Sequence, residues 1–377
     1  MSWFLLSCDR WTQGEKVKEY EKLWEDYTGS KAVMVSSGSA ANELIALKAK
    51  SDLIQKGLWT KKNKVLFPAN TWISSVSPWV NIGFQPIFVD IDVNLGMSYV
   101  DLYDKYSNRM GQEGFAGIFY TTLLGFYPQI VLEIKRFCDE KGLFFYLDNC
   151  ESSFSSFEVG GQIKNINSLT TSSTSFYLSH LTTTGSEGGM VFCEDEEDHK
   201  WFLMARNHGM VKSLLPYYGQ FVTDQYRNWM ADERFDFRLM GSNYRSSDLA
   251  AFSGILDFEN RDNIIIHRTE IYQQFKESIR KEIQVPEMGL SVPFSLPIIC
   301  DDVCLLNNIK FFCHANGIEY RPIVGGNLLR QTAFKGYGKP ENFPYADYIH
   351  KHGIYIGLNT KTTPKMIENF VKGVEKL

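Results

Sequence analysis

The chain of 377 residues contains no apolar run of about 18 residues, the length a membrane-spanning helix requires. Its start, Met1-Ser2-Trp3-Phe4-Leu5-Leu6-Ser7-Cys8, lacks the basic region and long apolar stretch of a secretory signal. Positive charge is not in excess: 39 Lys and Arg stand against 44 Asp and Glu, a formal charge of −5, which argues against nucleic acid as a partner. Cysteine is sparse, 7 residues scattered and odd in number, a usage that suits a reducing compartment better than a disulfide framework. No internal repeat, low-complexity tract or long disordered linker interrupts the chain. Together these absences lead to the expectation of a soluble, cytoplasmic protein that binds neither membrane nor nucleic acid.

What is present can fill a large core, with 44% hydrophobic and 14% aromatic residues. The length exceeds that of a typical single domain, so two domains are expected. Short β-branched or apolar runs predict strands at 32–35, 65–68, 86–89, 117–121, 144–147 and 190–192, with helices at 39–50, 99–106 and 129–141. This alternation predicts an α/β fold with a mixed, mostly parallel sheet. The final third changes character. A long helix over 249–261 is followed by strands at 283–285, 292–299, 318–322 and 353–356 and helices at 303–316 and 365–376. The expected division is a large domain, 1–249, and a small C-terminal α+β domain, 250–377.

Three places in the sequence suggest chemistry. Ser36-Ser37-Gly38-Ser39-Ala40-Ala41-Asn42 follows a strand and opens a helix, where free amides and the positive end of the helix dipole suit a phosphate. Asp148 ends a predicted strand, at the strand edge where ligands bind in such sheets. His180, in Thr174-Ser175-Phe176-Tyr177-Leu178-Ser179-His180 ahead of Glu187-Gly188-Gly189, carries a side chain that moves protons near neutral pH.

These segments, with Asp148-Asn149-Cys150-Glu151-Ser152, Asn207-His208-Gly209 and Glu319-Tyr320-Arg321-Pro322-Ile323-Val324, resemble the DegT-type sugar aminotransferases. The resemblance runs from about Gly14 to Leu377, and is nearest to the 3-dehydratase subgroup that acts on GDP-4-keto-6-deoxy-D-mannose, on the route to colitose. His180 occupies the position of that family's cofactor lysine. A lysine there forms a Schiff base with pyridoxal phosphate; an imidazole cannot. The resemblance implies an aspartate aminotransferase-like (fold type I) architecture binding pyridoxal 5'-phosphate or pyridoxamine 5'-phosphate. It implies Gly38, Ser39, Ala40 and Ser175 at the phosphate, Asp148 at the pyridine nitrogen, Trp72 stacked on the ring and Glu151 as a further cofactor-side group. It also implies Asn243 reaching the neighbouring subunit's phosphate in a homodimer, and His208, Arg245 and Arg321 as substrate groups.

Two features depart from the family. Thirteen residues precede Gly14, which implies a shortened opening helix, and the turn over 181–187 is longer. The reaction expected is loss of the C3 hydroxyl from a nucleotide-linked 4-keto-6-deoxy sugar, with His180 as base and acid and L-glutamate as amino donor. The alternatives are a sugar aminotransferase that delivers a 4-amino sugar, and a non-catalytic binder of the cofactor or of a nucleotide-sugar. A related iron–sulfur 3-dehydrase shares the histidine but needs four thiolates. Cys300, Cys304 and Cys313 form the one local grouping, on a strand-like apolar stretch, so neither a cluster nor a metal is expected.

Overall fold

A computed structural model describes residues 11–109, 114–228, 230, 232 and 235–377. The first ten residues, most of the expected shortened opening, lie outside them. The strands are β1 (Lys31–Val35), β2 (Lys64–Pro68), β3 (Gln85–Val89), β4 (Phe115–Thr121), β5 (Phe144–Asp148), β6 (Ser156–Val159) and β7 (Gln162–Asn165). After them come β8 (Ser172–Ser175), β9 (Gly189–Cys193), β10 (Ile283–Gln284), β11 (Ser295–Cys300), β12 (Tyr320–Pro322) and β13 (Gly353–Gly357). The helices begin with α1 (Glu15–Thr28), α2 (Gly38–Gln55), α3 (Ser77–Ile82), α4 (Tyr99–Tyr106), α5 (Ile130–Lys141) and α6 (Glu196–Ala205). They continue with α7 (Leu215–Tyr226), α8 (Asp248–Phe258), α9 (Arg261–Ser278), α10 (Val303–Ala315), α11 (Pro344–His352) and α12 (Pro364–Val374).

The chain packs as two compact units, each discontinuous in sequence. The first comprises the segments up to Lys56 and Asn167–Glu259; the second comprises Gly57–Ile166 and Asn260–Leu377.

In the first unit β9 lies between β1 and β8 and runs antiparallel to both. Its core is aromatic. Trp24 of α1 sits 4.9 Å from Phe258, 5.5 Å from Phe176 and 5.6 Å from Phe192, ring centroid to ring centroid. Contacts of this kind add roughly 0.5–1.5 kcal/mol each beyond burial. β8 is Ser-Ser-Thr-Ser, a polar strand invisible to hydrophobic patterning, yet all four residues are buried. Hydroxyl partners make that possible: Ser173 Oγ donates to Asn42 Oδ1 at 2.5 Å and Ser172 Oγ to Asn167 Oδ1 at 3.2 Å.

In the second unit β5, β4, β2 and β3 lie side by side and all pair in parallel. Their near-continuous apolar runs suit strands covered on both faces. A separate, wholly antiparallel sheet toward the C-terminus has the order β10-β11-β13-β12. The single helix expected over 249–261 is two helices. α8 ends at Phe258 and α9 starts at Arg261, with Asn260 outside helical geometry between them (φ −92°, ψ 6°). Among the described residues no helix is long and apolar enough to cross a membrane.

Candidate active site

The first unit gathers one set of the expected residues. β1 runs into Ser36-Ser37, and α2 opens at Gly38. Ser37 caps that helix, its side chain accepting from the Ala40 amide at 3.1 Å. The Gly38 and Ser39 amides, as the first two of the helix, have no intrahelical carbonyl to bond and sit at its positive end. Gly189 lies against this turn, paired with Val35 on one side and Ser175 on the other. A Cβ there would fall 2.3 Å from the Ser37 carbonyl carbon and 2.6 Å from the Gly38 nitrogen. Glycine alone lets β9 pass so close behind the turn. Gly189 therefore shapes the turn expected to cradle an anion, a contact the sequence did not specify.

Ser175 is buried at the end of β8, its Oγ accepting from the Tyr177 amide at 3.3 Å. His180 follows five residues later. It is half-buried, its Nδ1 turned inward and its ring edge-on to Tyr177 at 5.8 Å. The long turn is a compact hairpin. Phe176 N donates to Gly188 O at 2.9 Å, Leu178 N to Ser186 O at 3.1 Å, and His180 N to Tyr177 O at 2.9 Å. The cradle and the His180 hairpin thus leave the same end of the β1-β9-β8 group.

Close by in sequence, Arg206 is 2% exposed and pairs with Glu21, itself 2% exposed. It also donates to Met34 O and to the Tyr217 hydroxyl, both at 2.7 Å. Tyr217 in turn donates to Glu21 at 2.7 Å. Arg206 is thereby committed to the fold, and the segment it anchors carries the next residues. His208 has a left-handed backbone (φ 61°) and donates its amide to Ser242 O at 2.9 Å. Such a conformation is uncommon for a residue with a side chain and clusters at functional sites. Asn243 is exposed, and its Oδ1 accepts from Arg245 Nε at 3.1 Å. Arg245 Nη1 reaches Asn207 Oδ1 at 3.0 Å. Asn207, Asn243 and Arg245 therefore form one cluster, in which the guanidinium fixes which way the Asn243 amide faces.

The second unit gathers the others. Asp148 ends β5 and is 3% exposed, with Oδ2 accepting from Ser75 Oγ at 2.7 Å and Oδ1 from the Cys150 amide at 3.1 Å. Ser75 also accepts from Thr71 Oγ1 at 2.9 Å, and Thr71 meets Thr121 at 2.7 Å. All of these stand at the C-terminal edge of the parallel strands. Trp72, 58% exposed, follows Thr71 in that loop. Glu151 accepts from the Leu124 amide at 2.6 Å, where Leu124 has φ 52°. Burial pushes its carboxyl up to about 7; the Leu124 bond opposes the shift and the charge of Asp148 adds to it. Arg321, on β12, is exposed and donates twice to Glu319, at 2.9 and 2.7 Å. Among the described residues no group of three or more His, Cys, Asp or Glu side chains is placed to hold a metal ion.

The chain resembles known proteins over its whole length. It is 30% identical to a GDP-4-keto-6-deoxy-D-mannose 3-dehydratase of Yersinia pseudotuberculosis, over 99% of this chain and 94% of that one. The solved structure of the E coli enzyme of the same name with bound hydrated PLP superposes with a TM-score of 0.85 at 26% identity, covering 99% and 95% of the two chains. A structure of a GDP-4-keto-6-deoxymannose-3-dehydratase with a trapped PLP-glutamate geminal diamine also gives 0.85 at 26% identity, covering 98% and 95%. These likenesses make the fold that of the pyridoxal phosphate-dependent aminotransferase superfamily. With its pattern matched from residue 4 to residue 375, the chain is an enzyme of the DegT/DnrJ/EryC1/StrS aminotransferase family.

Proposed function

We propose that this enzyme is a 3-dehydratase that removes the C3 hydroxyl of a nucleotide-linked 4-keto-6-deoxy sugar, with GDP-4-keto-6-deoxy-D-mannose as substrate and L-glutamate as amino donor. One observation carries the proposal: a histidine, not a lysine, leaves the sheet beside a glycine-shaped anion cradle. The residues fit the cofactor. Gly38 and Ser39 offer amide donors at a helix start, with Ala40 and the Ser175 hydroxyl beside them for a phosphate. Asp148 supplies a buried, oriented carboxylate for a ring nitrogen, and Trp72 an exposed indole for a ring face.

Bound in its amine form, pyridoxamine phosphate would supply an electron sink joined through its amine to C4, the carbon beside the one that loses its hydroxyl. Asp148 keeps the proton on the ring nitrogen. Glu151, three residues beyond Asp148, serves as a further cofactor-side group. His180 takes a proton as base and returns one to the departing C3 oxygen as acid, a double role open to an imidazole because an unperturbed one gains and loses its proton near neutral pH. His208, Arg245 and Arg321 contact the substrates, and Asn243 donates its amide to the phosphate held by the neighbouring subunit of a homodimer. Residues 1–249 serve as the cofactor-binding domain and 250–377 as the smaller one.

The test is the mass of GDP-4-keto-6-deoxymannose after incubation with enzyme, cofactor and L-glutamate, beside a control without glutamate. Glutamate-dependent loss of the C3 oxygen supports the dehydratase. Oxygen replaced by an amino group makes it an aminotransferase, and an unchanged sugar with an unconverted cofactor makes it a binder only. His180→Lys should lower dehydration by about a thousandfold, in line with the loss of a general acid–base. Its spectrum should show a stable Schiff base.

A further inference from the structure

A lysine bonded to its cofactor has its position set by that bond; a histidine has no tether. Whatever holds His180 must come from the fold, and misplacement by about 1 Å can cost on the order of 100-fold in rate. The residues immediately after His180 are therefore of interest. Leu181, Thr182 and Thr184 are all buried, at 2%, 1% and 4% exposure, although two of them are polar.

Their hydroxyls are committed. Thr182 Oγ1 donates to Asp257 Oδ2 at 2.6 Å, and the Thr183 amide donates to the same oxygen at 2.9 Å. Thr184 Oγ1 donates to Glu187 O at 2.8 Å, and the Thr184 amide to Phe176 O at 3.1 Å. Asp257 belongs to α8, and one turn earlier that helix presents Gly254 and Ser253. A Cβ on Gly254 would lie 2.7 Å from Tyr20 Cζ and 3.0 Å from Thr184 Cγ2. Gly185 has φ +85°, and a Cβ there would come within 2.9 Å of Ser253 Oγ. Helix and hairpin are thus packed as closely as side chains permit, and Asp257 is the charged group that bolts them.

We propose that Asp257 is a positioning residue that fixes His180 through Thr182 and Thr183. The inference rests on the catalytic role given to His180 above. Asp257 itself moves no proton in the reaction. Its carboxylate takes two donors from the chain two and three residues beyond the histidine, while the His180 amide is held from the other side by Tyr177 O. The backbone that carries the imidazole is therefore held on both sides of it.

The experiment uses the cofactor-loaded full-length enzyme in three forms: Asp257→Ala, Thr182→Val and His180→Asn. Hydrogen exchange reads the anchor directly. In Asp257→Ala the amides of 181–184 should exchange about tenfold faster or more, with the cofactor still bound and the rest of the chain unaltered. Its kcat should fall between about 10- and 100-fold with KM nearly unchanged. Thr182→Val, which keeps the Thr183 bond and the side-chain volume, should fall between this variant and the parent in both readouts. Faster exchange with an unaltered kcat would overturn the positioning role, and unaltered exchange would overturn the anchor itself. A fully active His180→Asn enzyme would instead overturn the reading on which both rest.

Discussion

The two units manage buried charge in opposite ways. In the first, Glu21 and Arg206 are both buried and pair with one another: Arg206 meets Glu21, Met34 O and Tyr217, while Glu21 also accepts from the Met34 amide at 2.7 Å. His199 in the same unit stays neutral, its imidazole pushed down to about 3 by burial first and by the nearby positive charge of Arg206 and Lys31. In the second unit Glu151 accepts from one backbone amide and stands near the carboxylate of Asp148, and burial pushes its carboxyl up to about 7. The lesson is that a closed network stabilises and stays silent across physiological pH. A carboxyl left short of partners keeps a proton available where chemistry is run.

Breaking the closed network should have the largest effect. Glu21→Gln or Arg206→Met leaves one charge buried without its partner and should destabilise the protein by about 3–5 kcal/mol, read from denaturant midpoints. Replacing both together with apolar residues should cost much less than either alone.

Acidification sharpens the contrast, because the two groups respond with opposite sign. His199 has a folded value below its unfolded one, so the neutral form favoured by the fold loses stability as pH falls from about 6.5 toward 3. The parent should lose about 4 kcal/mol over that span that His199→Gln does not lose. Glu151 has a folded value raised above its unfolded one, so its penalty is absent below about 4.5 and complete above about 7. Glu151→Gln should therefore gain about 1–3 kcal/mol on the parent at pH 8 and nothing at pH 4, measured without cofactor.

The smallest change tests the cradle. Gly189→Ala should weaken cofactor affinity by about tenfold, close to 1.4 kcal/mol, in an absorbance titration. The cause is displacement of the Ser37-Gly38 turn behind the added methyl.

Legibility in the sequence followed the same physics. β1, β2, β3, β4, β5 and β9 announce themselves because their burial is apolar, and their edges agree with the runs at 32–35, 65–68, 86–89, 117–121, 144–147 and 190–192 to within two residues. β8 does not, because serine and threonine hydroxyls bury as well as valine once Asn42 and Asn167 accept their protons. The break at Asn260 was hidden because no Gly or Pro stands between Ile255 and Ser278, and apolar periodicity continues across the joint. His180, Asp148 and the Gly38 turn stood out in the sequence as candidates for chemistry, and the structure shows where each lies. Gly189, Arg206 and Asp257 were not, since each acts through a contact with residues far away along the chain.

The hairpin that carries His180 has a consequence for redesign. Phe176 to Gly188 closes on itself, and a carboxylate more than seventy positions away, Asp257, bolts it to α8. If Asp257 positions His180 as proposed, converting a lysine enzyme of this fold takes the support of the hairpin as well as the exchange of the side chain. The transplantable module is the hairpin together with the Gly254–Asp257 turn of its supporting helix, and grafts should succeed or fail as that pair.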